Sequence, residues 1–329
     1  MANFDFAQRL QAHAALLLDR QQSPGALRTC CAQLFDDCEA LGGSLDDHAS
    51  DLDCGRALSP LEAARCVLDF QRTTTLLRAV DAGLRTCMQQ ADTVEVLYAG
   101  CGPFAPLLLP LLARYPASRL QATLLDVHAT ALARAQALCS VAGVRDRLRP
   151  SLCADAARVQ LPQALRPRLL IVEVMQRALE KEPQVAVLAN LLPQCAAGAL
   201  VVPQRIRVSA ELADTAREFD PARHRLRVPL GELMELSAAS LATLGTQLGA
   251  GRIACPSLRV PIDAPEGLDL ILRTRIEASP EDVLDDYDSG LTYPAVLKNL
   301  GRIRPGELFH CHYRLGPRPG FELQRAGPM

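Results

Sequence analysis

The sequence predicts an α/β fold with a doubly wound parallel sheet, N-terminal helices and a C-terminal β-rich, barrel-like domain. Between residues 93 and 203, short apolar strand-like segments alternate with helical segments, as in a parallel sheet covered on both faces. After Pro203, strand-like segments of alternating polarity follow one another with a single helical stretch, as in antiparallel sheets. We therefore predict three parts, at residues 1–58, 59–203 and 204–329.

The N-terminal part is expected to be helical. Residues 3–21 have the apolar periodicity of an amphipathic helix. Ser23-Pro24-Gly25 predicts a turn, and a second helix is predicted after it through about Leu41. The polar segment 44–55 predicts a loop. Ser59-Pro60-Leu61-Glu62 combines an N-cap serine, a proline at the first position and a capping-box glutamate, so a helix is predicted over about 60–84.

The remaining elements follow from the same two periodicities. In the middle part we predict strands at 94–98, 120–125, 148–154, 168–172 and 199–203, and helices at 105–114, 129–142 and 183–193. In the C-terminal part we predict strands at 205–212, 225–228, 258–260, 268–278 and 308–315, and one helix at about 230–248.

Composition excludes several classes of function. The formal net charge is −2 and no basic block occurs, so nucleic acid is not an expected partner. No apolar run reaches the roughly 18 residues of a membrane span. The 12 cysteines are scattered without a CxxC pair, and residues 1–5 do not resemble the start of a signal peptide, so we expect a reducing, cytoplasmic location.

A small-residue turn follows the first predicted strand, at Ala99-Gly100-Cys101-Gly102-Pro103. Glycines here let backbone N–H groups approach a ligand closely. Asp126 ends the second strand, where a carboxylate can accept both ribose hydroxyls, and Asp155 ends the third. Together they predict a Rossmann-like site for S-adenosylmethionine, with Gly100, Cys101 and Gly102 in the cofactor loop.

Other interpretations of this turn are open. Ala105 stands where a third glycine would complete the dinucleotide fingerprint, so a nicotinamide dinucleotide is the alternative cofactor. The turn alone also fits a tight strand–helix connection, and Asp126 alone fits a helix N-cap.

Several segments, in chain order, resemble the protein arginine methyltransferases over about residues 60–205. Asp69-Phe70-Gln71-Arg72-Thr73 is similar to that family's D-x-x-R-T segment. Val96 to Gly102 is similar to its V-L-D-V-G-x-G motif, with Tyr98 in place of the aspartate. Glu173-Val174-Met175 resembles the start of its double-glutamate loop, and Leu200-Val201-Val202-Pro203 resembles its strand ending in proline.

The resemblance implies roles for particular residues. Arg72 would contact the carboxylate of the methyl donor. Glu173 and Glu182 would be the two catalytic glutamates, with Glu180 as a competitor for the second position. The departure at Tyr98 puts one contact of the family in doubt.

Two carboxylates suit the chemistry of a guanidinium acceptor. A guanidinium stays charged and is a poor nucleophile. Carboxylates bind it in bidentate geometry, localise positive charge on the bonded nitrogens and orient the remaining nitrogen toward the methyl group. They also stabilise charge that concentrates on the acceptor during transfer.

Two C-terminal segments have open interpretations. The family's Thr-His-Trp loop has no full counterpart, because the chain lacks tryptophan. The nearest candidate is the segment 309–313, which contains His310 and His312. Its residues either line the acceptor pocket or alternate along a strand, and we favour the strand. A metal site is not expected there. The acidic segment 285–294 either receives a cationic acceptor or forms a polar turn.

The sequence thus predicts an S-adenosylmethionine-dependent N-methyltransferase acting on a guanidino nitrogen of free arginine, a peptide or a related small metabolite. One alternative is a methyltransferase for another nitrogen or oxygen acceptor. A second is a catalytically silent, methyltransferase-like scaffold subunit. By resemblance we also expect a homodimer, with residues 231–248 as the dimerisation arm.

Overall fold

The computed structural model describes residues 6–326 apart from 221 and 223. Helix α1 spans Phe6–Leu18 and α2 spans Pro24–Ala40, where the Ser23 hydroxyl caps the first turn by accepting from Ala26 N. Residues 1–5, which include the start of the predicted first helix and the N-terminus used for the localisation prediction, lie outside the described residues. The predicted loop 44–55 is partly wrong, since a hairpin forms from β1 (Ser50–Leu52) and β2 (Gly55–Ala57).

The helix predicted over 60–84 is broken in two. Helix α3 (Pro60–Arg65) begins with the expected capping box of Ser59 and Glu62. A 3₁₀ turn follows at Cys66–Leu68, and α4 starts anew at Phe70–Met88. The break occurs because the Asp69 carboxylate accepts from Arg72 N and so caps a new helix.

The five strands of the middle part form the predicted parallel sheet. They are β3 (Val94–Ala99), β4 (Leu120–Asp126), β5 (Leu152–Cys153), β6 (Leu169–Val172) and β7 (Leu200–Val202), in the order β5-β4-β3-β6-β7. The connecting helices are α5 (Leu109–Leu112), α6 (Ala129–Val141) and α7 (Gln184–Leu191). Because β4 and β6 flank β3 on opposite sides, the strand order reverses at β3, and the crevice beyond the carboxyl ends of these strands is where such sheets bind ligands.

Two elements of this sheet are shorter than predicted. The helix expected at 105–114 is reduced to α5, because Ala105 has a left-handed backbone (φ 42°) and prolines stand at 106 and 110. The third strand is only β5, with Leu148 making an isolated bridge to Ala122.

The C-terminal part contains two antiparallel sheets. In the first, β8 (Arg205–Ala213) lies between β9 (Arg227–Ser237) and β11 (Asp269–Glu277), while β12 (Val283–Leu284) and β13 (Ala295–Val296) pair with β11. The second has the order β10 (Arg252–Arg259), β14 (Leu308–Arg314) and β15 (Gly320–Arg325). Helices α8 (Thr215–Glu218) and α9 (Ala238–Leu248) complete the domain.

The predictions for this part need three corrections. The strand expected at 225–228 continues to Ser237, so the predicted helix 230–248 is only α9. The strand expected at 258–260 is the end of β10, which begins at Arg252. Strands β12, β13 and β15 and helix α8 were not predicted. Over the described range, the chain has no helix long and apolar enough to cross a bilayer.

Candidate active site

A cleft opens at the carboxyl ends of β3, β4, β5 and β6. Its empty volume, including space open to solvent, is about 730 Å³. It brings together every residue that the sequence predicted for the site: Arg72, Gly100, Cys101, Gly102, Asp126, Asp155, Glu173 and Glu182.

The glycine turn forms the floor of this cleft. Gly100 and Gly102 have positive φ angles of 74° and 58°. A Cβ at position 100 would lie 2.4 Å from Val174 Cγ1 and 2.9 Å from the Glu173 carbonyl oxygen. Glycine is therefore required here both for its backbone conformation and for the close approach of the segment that follows β6.

The two aspartates lie at the ends of their strands as predicted. Asp126 accepts hydrogen bonds from Gly102 N and His128 N, both at 2.9 Å, so it fixes the turn while lining the cleft. Asp155 accepts from Ala157 N at 2.9 Å and also lines the cleft. A carboxylate can accept about four hydrogen bonds, so both retain capacity for ligand hydroxyl or amino groups.

Arg72 is held in the first turn of α4 and is almost completely buried. Asp69 fixes the start of this helix, and its second oxygen accepts from Ser289 Oγ (2.7 Å) and Gly290 N (3.0 Å) of the C-terminal domain. The Arg72 Nε donates to Glu173 Oε1 at 3.0 Å. Within the described part of the chain, no acceptor pairs with its two terminal nitrogens, which are left for a carboxylate of a ligand.

Glu173 directly follows β6 and is held at both oxygens. Arg72 contacts Oε1, and the Tyr98 hydroxyl donates to Oε2. Tyr98 is fully buried in β3, and burial together with the neighbouring Glu173 charge raises the pKa of its phenol, which keeps the hydroxyl protonated as a donor. Tyr98, which stands where the resembled motif has an aspartate, thus donates a hydrogen bond to the first candidate glutamate.

Glu182, and not Glu180, faces the cleft. Its side chain is 5% exposed, and burial raises its pKa to about 7 despite the opposing effect of Arg72. Glu180 is half-buried, lies outside the cleft and pairs with Arg177, with 3.5 Å between Oε1 and Nε. The structure therefore places Glu182 beside Glu173 and Arg72.

The segment between the two glutamates, residues 174–181, has an unusual backbone. Ala178, Leu179 and Lys181 all have positive φ angles, which cost free energy in residues other than glycine. The C-terminal domain holds them: Ala178 N donates to Thr274 Oγ1 and the Tyr313 hydroxyl donates to the Leu179 carbonyl, each at 2.7 Å. The position of Glu182 is therefore determined by the antiparallel sheets of the C-terminal domain as well as by the parallel sheet.

A second cavity adjoins the cleft on the side of the glutamates. It has an empty volume of about 640 Å³ and shares Leu58, Arg72 and Glu182 with the cleft. Asp69, Gln176 and Gly290 also line it. A molecule that enters this second cavity reaches Glu182 and Arg72.

Two C-terminal segments had open interpretations in the sequence. Residues 309–313 alternate along β14, with Phe309, Cys311 and Tyr313 buried and His312 bonded to Glu322, which agrees with the strand interpretation. In the acidic segment 285–294, Asp285 and Asp286 pair with arginines of the chain itself, Arg273 among them.

Sequence reasoning missed some residues of the site. The β1–β2 hairpin, predicted as a loop, contributes Leu52 and Arg56 to the cleft wall. Gln184 is buried and ties the glutamate segment to β6, because its side chain donates to the Val172 carbonyl and accepts from Val174 N. Gly55 was the sequence feature that could have indicated the hairpin turn. A Cβ at this position would meet the backbone of Lys181 and Pro183, so glycine allows the hairpin to approach that segment.

The cleft has the groups that adenosylmethionine would need. Gly100 and Gly102 allow close backbone approach, Asp126 suits ribose hydroxyls, and the terminal nitrogens of Arg72 suit an amino-acid carboxylate. The third glycine of a dinucleotide fingerprint, which helps to bind a pyrophosphate, is replaced by Ala105, and this residue is 0% exposed. The donor set therefore fits adenosylmethionine better than a dinucleotide.

Comparisons with known proteins support the fold. No protein-family model matches the chain, and no curated protein matches it. Among solved structures, it is similar to Trypanosoma brucei PRMT1, in a structure described as an enzyme–prozyme heterotetrameric complex with AdoHcy. The TM-score is 0.54 at 15% identity, and the match covers 80% of this chain and 92% of that one. At this identity the likeness is one of fold: a parallel α/β sheet with additional antiparallel sheets.

Proposed function

We propose that this protein is an S-adenosylmethionine-dependent N-methyltransferase that acts on a guanidino nitrogen of arginine, free or in a peptide, or of a related small metabolite. The observation that carries this proposal is that Glu173 and Glu182 line the same cleft as the glycine turn, Arg72 and Asp126. The C-terminal sheets would form a barrel-like domain that supports the acceptor side, and the protein would work in the cytoplasm.

The two glutamates are suited to hold a guanidinium that enters through the second cavity, which we call the acceptor cavity. Bound adenosylmethionine would supply a methyl group on an electrophilic sulfonium. Glu173, fixed by Arg72 and Tyr98, has a defined orientation for accepting hydrogen bonds from the guanidinium. The acceptor nitrogen gains a methyl group and must lose one proton, and Glu182, with a pKa of about 7, is suited to take it near neutral pH.

The decisive experiment compares the wild type with Glu173→Gln. Labelled adenosylmethionine would be incubated with free arginine, an arginine peptide and a protein extract in parallel, and its binding would be measured by calorimetry. We expect Glu173→Gln to lower kcat about 100-fold or more, because it removes the charge that stabilises the acceptor in the transition state. Cofactor affinity should stay within a few-fold, since a glutamine oxygen still accepts from Arg72.

Glu95→Gln is the matched control. Glu95 lies on the same strand as Tyr98 but at the far end of the sheet, where it pairs with Arg149 at 2.6 Å. We expect near-normal turnover from this variant. Near-normal turnover by Glu173→Gln would eliminate the two-glutamate mechanism and favour a methyltransferase for another nitrogen or oxygen acceptor.

A second candidate function is a silent subunit that binds cofactor without transferring methyl groups. The observation that favours it is that both oxygens of Glu173 are already hydrogen-bonded, by Arg72 and by Tyr98. Saturable binding of adenosylmethionine with no label transferred to any guanidino compound or extract protein would support this function and contradict the first.

A further inference from the structure

A third cavity lies beyond the acceptor cavity. Its empty volume is about 1440 Å³, and it is bounded by the glutamate segment, by β11 and β13, and by the turn between β14 and β15. It shares Arg177, Glu180 and Lys181 with the acceptor cavity, so the two cavities adjoin, and the acceptor cavity is lined in turn by Glu182.

The lining of this third cavity is strongly basic, although the chain as a whole has a net charge of −2. Its acidic residues are Asp51 and Glu180, and its basic residues are Arg56, Arg177, Lys181, Arg314 and Arg318. Arg177 pairs with Glu180, and Arg314 pairs with Glu322. Over the described part of the chain, the charged groups of Arg56, Lys181 and Arg318 have no carboxylate partner.

Backbone hydrogen bonds connect the three chain segments that carry these unpaired cations. Arg56 N donates to the Lys181 carbonyl at 2.8 Å, and Lys181 N donates to the Pro319 carbonyl at 3.1 Å. Lys181 also precedes Glu182 directly in the chain. The cluster is thus attached to the segment that carries the second glutamate.

A cationic cluster beside a site for a guanidinium requires a physical reason, because it repels the acceptor's own charge. An anion on the acceptor would remove that repulsion and form charge-assisted hydrogen bonds. We propose that Arg56, Lys181 and Arg318 bind a carboxylate carried by the methyl acceptor, so that the substrate is a guanidino compound with an acidic group at its other end. This inference rests on the proposed function, and it deepens it by assigning a specificity-determining cluster.

The test compares acceptors that differ only in the carboxylate. Binding of arginine and of agmatine, its decarboxylated form, would be measured by calorimetry in the presence of S-adenosylhomocysteine. We expect arginine to bind at least tenfold more tightly, since hydrogen bonds between charged groups are the stronger class. 5-Guanidinopentanoate, which keeps the carbon chain and carboxylate of arginine and lacks the amino group, should also bind at least tenfold more tightly than agmatine.

The source of the carboxylate is distinguished by a peptide pair. An arginine peptide with a neighbouring aspartate is compared with the same peptide carrying asparagine. A preference for the aspartate peptide together with equal binding of arginine and agmatine assigns the cluster to an acidic residue of a peptide. The reverse pattern assigns it to the α-carboxylate of a free amino acid.

The double variant Lys181→Gln/Arg318→Gln tests the residues themselves. It keeps the backbone bonds and removes two charges, so the ratio of arginine to agmatine affinity should fall from ten or more toward one. Arg302→Gln is the control, because Arg302 is an exposed cation of the same domain, pairs with Glu266, and lines none of the three cavities.

The outcomes separate this inference from the proposed function. Equal binding within both pairs, or a carboxylate preference in either pair that the double variant leaves unchanged, overturns the carboxylate cluster even if methyl transfer occurs. A carboxylate preference that the double variant removes supports the cluster even if no methyl group is transferred, and in that case only the proposed catalysis fails.

Discussion

At the scale of single residues, the two candidate glutamates have different environments. Glu173 accepts hydrogen bonds from a guanidinium and a phenol, whereas burial dominates at Glu182 and raises its pKa to about 7. Separate environments of this kind allow one carboxylate to orient an acceptor while the other exchanges a proton.

We predict that kcat rises through neutral pH as Glu182 ionises. With a pKa of about 7, the ionised fraction increases roughly tenfold between pH 6 and pH 8, and kcat should follow it. The measurement is the pH profile of kcat with saturating cofactor and acceptor. Glu182→Gln should lower kcat and flatten the profile in this range; a variant profile that still rises tenfold would assign the titration to another group.

The same group makes a stability prediction with a definite sign. The folded pKa lies above the value of 4.5 for an unperturbed carboxyl, so between these values the folded state binds the proton and the unfolded state releases it. Stability contributed by this group is therefore present below pH 4.5 and is lost as the pH rises to about 7. Glu182→Gln should lack that loss in denaturant titrations at pH 5 and pH 7.

Much of the site at this scale was predictable from local sequence. Gly100, Gly102 and Asp126 have positions set by the strand ends next to them, and all line the cleft. The contact between Tyr98 and Glu173 was not predictable, because it joins residues 75 positions apart through the pairing of β3 with β6. Sequence showed that position 98 departs from the resembled motif, and only the sheet register showed which side chain it reaches.

At the scale of elements, the cleft depends on how closely the glycine turn approaches the segment after β6. Gly100 has a positive φ, and a Cβ there would overlap Val174 and the Glu173 backbone. Any side chain at this position must push the first glutamate away from the cofactor cleft.

We predict that Gly100→Ala destabilises the fold and impairs cofactor binding. The left-handed backbone alone costs about 1–2 kcal/mol in alanine, and the overlap should add about 1–3 kcal/mol. Gly143→Ala is a matched control, because Gly143 has a similar φ of 69° with no atom within 4 Å of its Cβ position. Denaturant titration and calorimetric cofactor binding check both variants, and equal losses in the two would show that the overlap has no effect.

Element boundaries were the least predictable feature, and two cases show why. Asp69 ends one helix and caps the next, but its position inside a continuous apolar periodicity hid the break. Strand β9 continues to Ser237 because its residues pair with β8, whereas the sequence of 230–237 taken alone also fits a helix. In both cases a contact decided between two local patterns of similar strength.

At the scale of the whole molecule, the segment between the two candidate glutamates is held by both halves of the chain. Thr274, Tyr313 and Pro319 of the C-terminal domain hold the glutamate segment, and Ser289 and Gly290 contact Asp69. The sequence identified a parallel sheet followed by antiparallel sheets, but it contained no signal for these long-range contacts. The positions of the glycine turn and of Asp126 were therefore predictable, while the contacts that hold the segment between the two glutamates required the folded chain.

The predicted homodimer is also a property of the whole molecule. Of the expected arm at 231–248, residues 231–237 belong to β9, and only α9 is helical. Helix α9 contacts β9, β10 and α7 of its own chain. It has no charged residue in its 11 positions, although Ala239 and Ala242 are exposed. Because α9 presents an uncharged exposed face, we propose that a second copy of the chain covers it.

We predict a dimer with twice the chain mass of 35.6 kDa by light scattering at micromolar concentration. Ala239→Glu/Ala242→Glu should convert it to a monomer, because each association would bury four carboxylates of like charge near one another. Ala133→Glu/Ala137→Glu, on the exposed face of α6, is the control and should leave the mass unchanged. A wild-type mass of one chain would remove the dimer, and a dimer that survives the α9 substitutions would move its interface to another surface.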